Sequence, residues 1–262
     1  MLDYTITKFP KTRIATFDIG AVSQQKHYIS ILLECDVTAS REKIRNKRRK
    51  GEKISFNGLM LKTISNSIHK HPEVAAFLYR KQKLIIFKDI NVATIVEKEI
   101  DGTKVPIPLT IEKANEKSIS AITNEIEKAK NKVISAKDIV LNKESNPGER
   151  LYYRLPGFLR KYIWRYMLRN PKVAYKKMGN VVLTSPGMMG KINGWFIHKS
   201  IHPISFGIGS VVKKAVVVDD EIKAREILNM TVLMDHDVID GAPMARFINE
   251  LVRNIENGLA LQ

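Results

Sequence analysis

A short stretch near the C-terminus holds the residues best suited to acid–base chemistry. It reads DHDVIDG from residue 235 to residue 241 and lies between an apolar strand-like run and an amphipathic helix. Histidine titrates near neutral pH, so His236 at a strand-to-helix junction can act as a base on a bound substrate. Asp240 can hold the turn through hydrogen bonds, and Gly241 accepts backbone angles that other residues resist. This stretch is therefore the first candidate for a functional site.

The elements that would position this stretch are a mixture of strands and helices. Apolar runs predict strands over residues 28–37, 84–87, 90–96, 105–109, 181–184, 204–212, 215–218 and 229–234. Capping residues and helical spacing predict helices over residues 38–50, after Ser55, after Ser118, over residues 156–170 and from about Ala242. We expect the strands 84–87 and 90–96 to pair, a hairpin turn at Asp101-Gly102, and a loop at Asn146-Pro147-Gly148. No internal repeat is present, and the mixture predicts an α+β fold.

Composition limits the class of protein. The chain has 262 residues, 44% of them hydrophobic, which is enough for one large core, and we expect a single domain over residues 1–262. No run reaches the ~20 apolar residues of a membrane span, and the N-terminus lacks the layout of a signal peptide. Cys35 is the one cysteine, which excludes an internal disulfide and a cysteine-based zinc site. A reducing cytoplasm is the expected location.

The net charge of +17 is concentrated in one segment. Residues 142–180 hold ten Lys or Arg against two Glu, a surplus of 10 − 2 = +8. Within this segment, the helix from Pro156 carries apolar side chains at helical spacing on one side and cations on the other. Such a helix packs on its own domain or on another subunit, lies on an anionic membrane, or binds nucleic acid. No nucleic-acid motif accompanies Trp164 and Trp195, which argues against the last.

A metal site is not expected. His198 and His202 share the i, i+4 spacing that two ligands on one helix face would have, but the surrounding run lacks supporting carboxylates.

Further stretches occur in an order typical of one family. They read ECDVT from residue 34, HPEV from 71, KDINV from 88, VPIP from 105, KSI from 117, LTSPG from 183 and FGIG from 206. Together with DHDVIDG and the helix after it, this ordered set resembles the catalytic domain of the dihydrolipoyl acyltransferases, the core component of 2-oxo acid dehydrogenase complexes. The segment around 146–177 stands out as a basic insertion. The resemblance implies a chloramphenicol acetyltransferase-like two-layer sandwich with a mixed sheet and a C-terminal helix.

The resemblance also implies an assembly and a reaction. It implies a homotrimer with each active site between neighbouring subunits, His236 as general base, Asp240 as the motif aspartate that holds the loop, and the Thr184 hydroxyl as oxyanion donor. Coenzyme A would be the co-substrate, and the acyl group would pass between it and a thiol such as dihydrolipoyl, or another small acceptor. No residue can be assigned to the phosphates of coenzyme A.

Two departures from the family pattern leave alternatives open. Asp237 follows the histidine where the family commonly has arginine, and it would favour the imidazolium form if it approached the ring. We expect no lipoyl or subunit-binding domain in this chain, so either a lipoyl group would sit on another chain, a separate lipoyl-domain protein, or the acceptor would be something else. The alternatives are a catalytically inactive trimeric scaffold homologue, and a basic peripheral membrane or nucleic-acid binding protein.

Overall fold

The computed structural model describes residues 2–7, 13–100, 103–131, 147–188, 190 and 192–261. Its strands are β1 (Tyr28–Asp36), β2 (Phe77–Tyr79), β3 (Lys83–Ile85), β4 (Val92–Ile100), β5 (Thr103–Ile111), β6 (Val181–Thr184), β7 (Ile204–Val218) and β8 (Glu221–Asp235). Its helices are α1 (Ile14–Ser23), α2 (Thr38–Arg49), α3 (Phe56–Lys70), α4 (Ile119–Asn131), α5 (Pro147–Arg154), α6 (Gly157–Arg169), α7 (Pro171–Met178) and α8 (Gly241–Asn257).

A six-stranded mixed sheet forms the centre of the fold, in the order β1-β8-β7-β6-β4-β5. The pairs β1–β8, β7–β8 and β4–β5 are antiparallel, whereas β6 runs parallel to both β4 and β7. Strands β2 and β3 form a separate two-stranded sheet. The mixed sheet with helices confirms the α+β fold class.

The main core lies between one face of the sheet and helices α3, α4 and α8. Alternate residues of β7 and β8 point into it, because successive side chains of a strand face opposite sides. Their largest partners from the helices are fully buried aliphatic and aromatic side chains: Leu61, Ile64, Ile68, Ile122, Phe247 and Leu251. Helix α8 begins after Asp240 and ends at Gly258, whose positive φ of 57° suits a left-handed cap.

The opposite face of β7 and β8 is buried as well, under the described residues of the segment between β6 and β7, which are 185–188, 190 and 192–203. Every residue of β7 from Ile204 to Ser210 is buried, and so is the end of β8. The segment approaches the strands so closely that a Cβ added to Gly187 would lie 2.0 Å from the carbonyl carbon of Gly209. The Ser210 hydroxyl donates to the carbonyl oxygens of Gly187 and Gly190. Glycine is therefore required at this contact.

The two outer strands of the sheet, β5 and β1, have different features along their edges. Strand β5 carries Pro106 and Pro108, which face Glu97 and Ile95 of β4. Beside the outer strand β1, the indole Nε1–H of Trp195 donates to the carbonyl oxygen of Leu33 at 2.9 Å.

Several expectations from sequence are wrong in detail. Residues 84–87 and 90–96 do not pair: β3 pairs with β2, and β4 pairs with β5. The runs 204–212 and 215–218 are one strand, because Lys213 and Lys214 continue a two-stranded ribbon with β8 beyond the core. The run at Pro147 begins a helix rather than a loop, since proline is tolerated in a first helical turn.

Other expectations concern the ends of helices and strands. Thr38 is not the N-cap of α2: Val37 is, and the Thr38 hydroxyl donates to Asp36 instead. Asp101 and Gly102 lie outside the described residues, although Ile100 and Thr103 on either side pair as a hairpin requires. Among the described residues, no helix is long and apolar enough to cross a membrane.

The contact between Gly187 and Gly209 gives a stability prediction. We expect Gly187→Ala to lower the free energy of unfolding by about 3 kcal/mol, because backbone atoms must move apart to admit the methyl group. Gly190→Ala is the matched control, since a Cβ there meets nothing within 4 Å. Urea unfolding of both variants checks the prediction, and equal stability would contradict it.

Candidate active site

His236 occupies the first position after β8, in the turn that leads to α8. Its backbone N–H donates to the carbonyl oxygen of His27 at 2.8 Å, which fixes the turn against the start of β1. The imidazole itself is 47% exposed. The backbone of this residue is thus held in place while its ring remains open to a substrate.

The residue before it anchors the turn. The carboxylate of Asp235 is fully buried and accepts a hydrogen bond from the ammonium group of Lys26. The Asp235 N–H donates to the carbonyl oxygen of Pro203 at 3.0 Å, and the Asp237 N–H donates to the Asp235 carboxylate at 3.3 Å. Because a buried carboxylate needs a compensating cation, Lys26 and Asp235 bind each other firmly and hold the end of β8.

Asp237 is turned toward a different histidine. Both of its carboxylate oxygens lie 3.0 Å from Nδ1 of His27, on the exposed surface. The charge that replaces the family arginine is therefore paired with His27 rather than with the ring of His236.

Asp240 lies close to the His236 ring. Its Oδ1 is 3.5 Å from Nε2 of His236, which is longer than an ordinary hydrogen bond. Asp240 is also the N-cap residue of α8, but its side chain makes no capping hydrogen bond. The carboxylate is thus directed at the imidazole as an exposed ion-pair partner.

Thr184 is the last residue of β6. Its neighbour Leu183 points into the core, so the half-buried Thr184 side chain faces the other side of the sheet. Thr184 lies beside Gly207 of β7, and a Cβ added to Gly207 would lie 3.0 Å from Nδ1 of His198.

Within one chain, Thr184 and His236 are far apart. Thr184 is level with Gly207, which in turn faces Thr231, five residues before His236 along β8. Two strand spacings of ~4.8 Å and five residues of ~3.3 Å rise separate their Cα atoms by roughly 20 Å. A base and an oxyanion donor must each reach the same carbonyl group within ~3 Å, so these two residues of one chain cannot serve one substrate.

Comparison with known proteins identifies the family. The family described as 2-oxoacid dehydrogenases acyltransferase (catalytic domain) matches residues 21–140 and 173–261, most of the chain. The chain belongs to this acyltransferase family. The unmatched residues 141–172 overlap the basic segment noted in the sequence.

Relatives of known role agree with the family. The chain is 25% identical over 233 residues to the lipoamide acyltransferase component of the branched-chain alpha-keto acid dehydrogenase complex of Bacillus subtilis, covering 86% of this chain and 46% of that protein. It is 26% identical over 211 residues to the dihydrolipoyllysine-residue acetyltransferase component of the pyruvate dehydrogenase complex of Mycoplasma pneumoniae, covering 80% and 43%. The acyltransferase-family chain thus spans about half the length of these relatives.

Solved structures agree with the fold. A probable dihydrolipoamide acetyltransferase from Listeria monocytogenes superposes with a TM-score of 0.68 at 18% identity, covering 97% of this chain and 94% of that one. The cubic core of a pyruvate dehydrogenase multienzyme complex gives 0.68 at 17% identity, covering 98% and 94%. Chloramphenicol acetyltransferase gives 0.52 at 12% identity, covering 96% of each. The expected chloramphenicol acetyltransferase-like fold is confirmed.

Two other histidines of the chain lie near this face of the sheet, where His202 is buried and His198 is partly buried. The Nε2 atom of His198 is 2.8 Å from the Ser205 hydroxyl, and that of His202 is 3.0 Å from the carbonyl oxygen of Met178. Their Nδ1 atoms have no partner among the described residues. Burial lowers the pKa of both, that of His202 to about 4, so both rings are neutral at pH 7.

Among the described residues, no cluster of three possible metal ligands occurs. His198 and His202 lie in a segment that is not helical, so their i, i+4 spacing is not that of a helix face. Cys35 is also unsuited to reaction, because burial raises the pKa of its thiol to about 12.

Sequence reasoning missed Lys26 and His27 as parts of the site. Both contact the turn of His236 across more than 200 residues of chain, and no local pattern marks such a contact. The burial of Asp235 was foreseeable from its place at the end of an apolar strand, and a buried carboxylate predicts a cation beside it.

Buried His202 gives a pH prediction. Its pKa is about 4 in the folded protein and near 6.5 when unfolded, so the unfolded chain binds the proton first as the pH falls. The contribution of neutral His202 to the free energy of unfolding is therefore intact above pH ~6.5 and is lost as the pH falls toward 4. About 2 kcal/mol of this contribution is lost between pH 7 and pH 5. Urea unfolding at these two pH values should show a smaller loss in His202→Gln than in the unaltered chain. His69→Gln, at an exposed histidine, should show the full loss, and equal losses in both variants would contradict the prediction.

Proposed function

We propose that this chain is the catalytic part of a coenzyme A-dependent acyltransferase, with His236 as its general base. The observation that carries the proposal is the half-exposed imidazole of His236, held by its own backbone and by the Lys26–Asp235 pair at the end of β8. The match to an acyltransferase catalytic domain over most of the chain supports it.

The proposed reaction is thioester exchange. His236 removes the proton from the thiol of the acceptor, and the thiolate attacks the carbonyl carbon of the acyl thioester. The carbonyl oxygen takes the negative charge of the tetrahedral intermediate and accepts a hydrogen bond from the Thr184 hydroxyl. The intermediate then expels the coenzyme A thiolate, which takes the proton back from the imidazolium of His236. The imidazole is thus restored after each turnover.

We propose that each site combines His236 of one chain with Thr184 of the next. The separation of roughly 20 Å within one chain supports this arrangement. A head-to-tail contact that closes into a ring gives every chain the same composite site, and a homotrimer is the ring implied by the family resemblance. The likeness to the cubic core of a dehydrogenase complex, an oligomeric assembly, is consistent with it.

The acceptor that we propose is a dihydrolipoyl group carried on another chain. The curated relatives are components of dehydrogenase complexes described as lipoamide or dihydrolipoyllysine-residue acyltransferases. The described residues form one sheet-based fold that corresponds to about half of those proteins. A reducing compartment such as the cytoplasm suits a thiol substrate and the buried thiol of Cys35.

Loss of the base is the direct test. We expect His236→Ala to reduce acetyl transfer from acetyl-coenzyme A to dihydrolipoamide by about 10²–10⁴-fold, because general base catalysis supplies that much. Release of free coenzyme A thiol follows the reaction. His69→Ala, at an exposed surface histidine, is the matched control and should keep full activity. Full activity in His236→Ala would refute the role of His236. No turnover by the unaltered chain with any acyl thioester would instead indicate a scaffold without catalysis.

Mixing of variants tests whether the site is shared between chains. Thr184→Val keeps the shape of the side chain and removes its hydroxyl, so we expect a loss of about 10²–10³-fold by itself. Co-expression of Thr184→Val with His236→Ala should restore activity, because about one quarter of the sites in a randomly mixed ring join an intact His236 to an intact Thr184. Activity no higher than that of either variant alone would show that the two residues do not act across chains.

A further inference from the structure

Helix α6 has an outward face that the described residues of the chain do not cover. Five of its apolar side chains are 39–70% exposed: Phe158, Leu159, Tyr162, Ile163 and Tyr166. No residue of this helix is buried. Isolated exposed apolar residues are ordinary, but five on one helix mark an interaction surface. We call these five side chains the apolar arc.

The apolar arc has a cationic border. At about 100° per residue, the arc covers about 140° of the helix circumference, from Phe158 round to Ile163. Lys161, Arg165 and Arg169 are exposed along or just inside the edge next to Phe158. The helix has four basic residues and no acidic one.

The inner side of the helix is already occupied by a polar network. The Arg160 guanidinium donates to the buried carboxylate of Asp18 in α1 at 2.7 Å, and the Tyr152 hydroxyl donates to the same carboxylate. The Trp164 Nε1–H donates to the Tyr152 oxygen at 2.8 Å. These bonds hold the helix with the apolar arc outward, so the arc is not a core face awaiting its own domain.

The charge around the arc selects the partner. No Asp or Glu occurs from Arg150 to Val218, a stretch that holds thirteen Lys or Arg. Of these cations, Arg160 is paired with Asp18, and Lys214, which lies outside this helix, is paired with Glu34. A second copy that presented the same face would bring the same positive surface against this one, and the two would repel. The cationic border therefore favours an anionic partner.

The aliphatic content of the arc narrows the choice further. Nucleic acids present phosphates, which bind cations, and bases, which stack on aromatic rings. The aliphatic side chains of Leu159 and Ile163 make neither kind of contact. An anionic lipid surface offers hydrocarbon to the centre of the arc and phosphate or carboxylate groups to its cationic edge, which is the layout of a helix lying in a membrane interface.

We propose that α6 docks this protein on an anionic lipid surface. The helix lies along the interface without spanning it, and Phe158, Tyr162 and Ile163 enter the boundary between head groups and acyl chains. Lys161, Arg165 and Arg169 contact the head groups. Helix α6 falls within residues 141–172, which the family match leaves out, so this surface is additional to the shared catalytic domain.

Vesicle flotation of the full chain tests the proposal. We expect binding to vesicles of phosphatidylcholine and phosphatidylserine in equal parts, and none to pure phosphatidylcholine. Lys161→Glu with Arg165→Glu should weaken binding by at least about tenfold, because each basic residue near the membrane surface raises the affinity about fivefold. Phe158→Ser with Ile163→Ser should weaken it similarly at unchanged net charge.

The matched control reverses two cations elsewhere. Arg49→Glu with Lys50→Glu changes the net charge by the same amount at the exposed end of α2, and it should bind vesicles nearly as the unaltered chain does. Circular dichroism and acetyl transfer show that each variant is folded, since none of these residues belongs to the proposed catalytic site.

Several outcomes would overturn the proposal. They are no binding to the anionic vesicles at low salt, an equal loss in both charge-reversed variants, and binding to duplex DNA without binding to vesicles. A change of oligomeric state in Phe158→Ser with Ile163→Ser, measured by light scattering, with lipid binding intact, would assign the arc to a second copy instead.

Discussion

The buried ion pair between Lys26 and Asp235 is the interaction on which the candidate site depends. It joins Lys26, two residues before β1, to the last residue of β8, so it closes the pairing of these two strands at the end where His236 lies. A buried carboxylate without its cation is costly, which leaves the turn little freedom to move. The backbone of His236, next to this pair, is therefore fixed, while its exposed imidazole ring can still move.

The geometry of the sheet explains why Thr184 and His236 of one chain do not meet. Thr184 ends a short parallel strand, and His236 follows the end of an antiparallel strand two positions away. The two residues are thus two strands apart and about five residues apart along the strand direction, so folding of a single chain does not bring them together. An assembly that places the His236 end of one chain against the Thr184 end of another removes this difficulty.

Sequence patterns predicted the parts that depend on local periodicity. The helices from Thr38, after Ser55, from Gly157 and from Gly241, and the strand ending at Thr184, lie where apolar spacing and capping residues indicated. The partners of strands were harder, because β3 and β4 are adjacent in sequence and belong to different sheets. The surroundings of helix α6 were the hardest to predict. Its packed side depends on Arg160, Trp164 and an acid 142 residues away. The apolar stripe, for which the sequence left packing, membrane contact and nucleic-acid binding open, is exposed in the described chain.

The two prolines of β5 have a consequence for how the molecule meets its neighbours. Proline has no N–H to offer, so the free side of β5 cannot act as a template for another strand. At the other edge of the sheet, the indole N–H of Trp195 donates a hydrogen bond to the carbonyl oxygen of Leu33 in β1. Edge-to-edge pairing with another strand is thereby discouraged at both margins of the sheet, and contacts with another copy of the chain at these margins would have to use side chains instead.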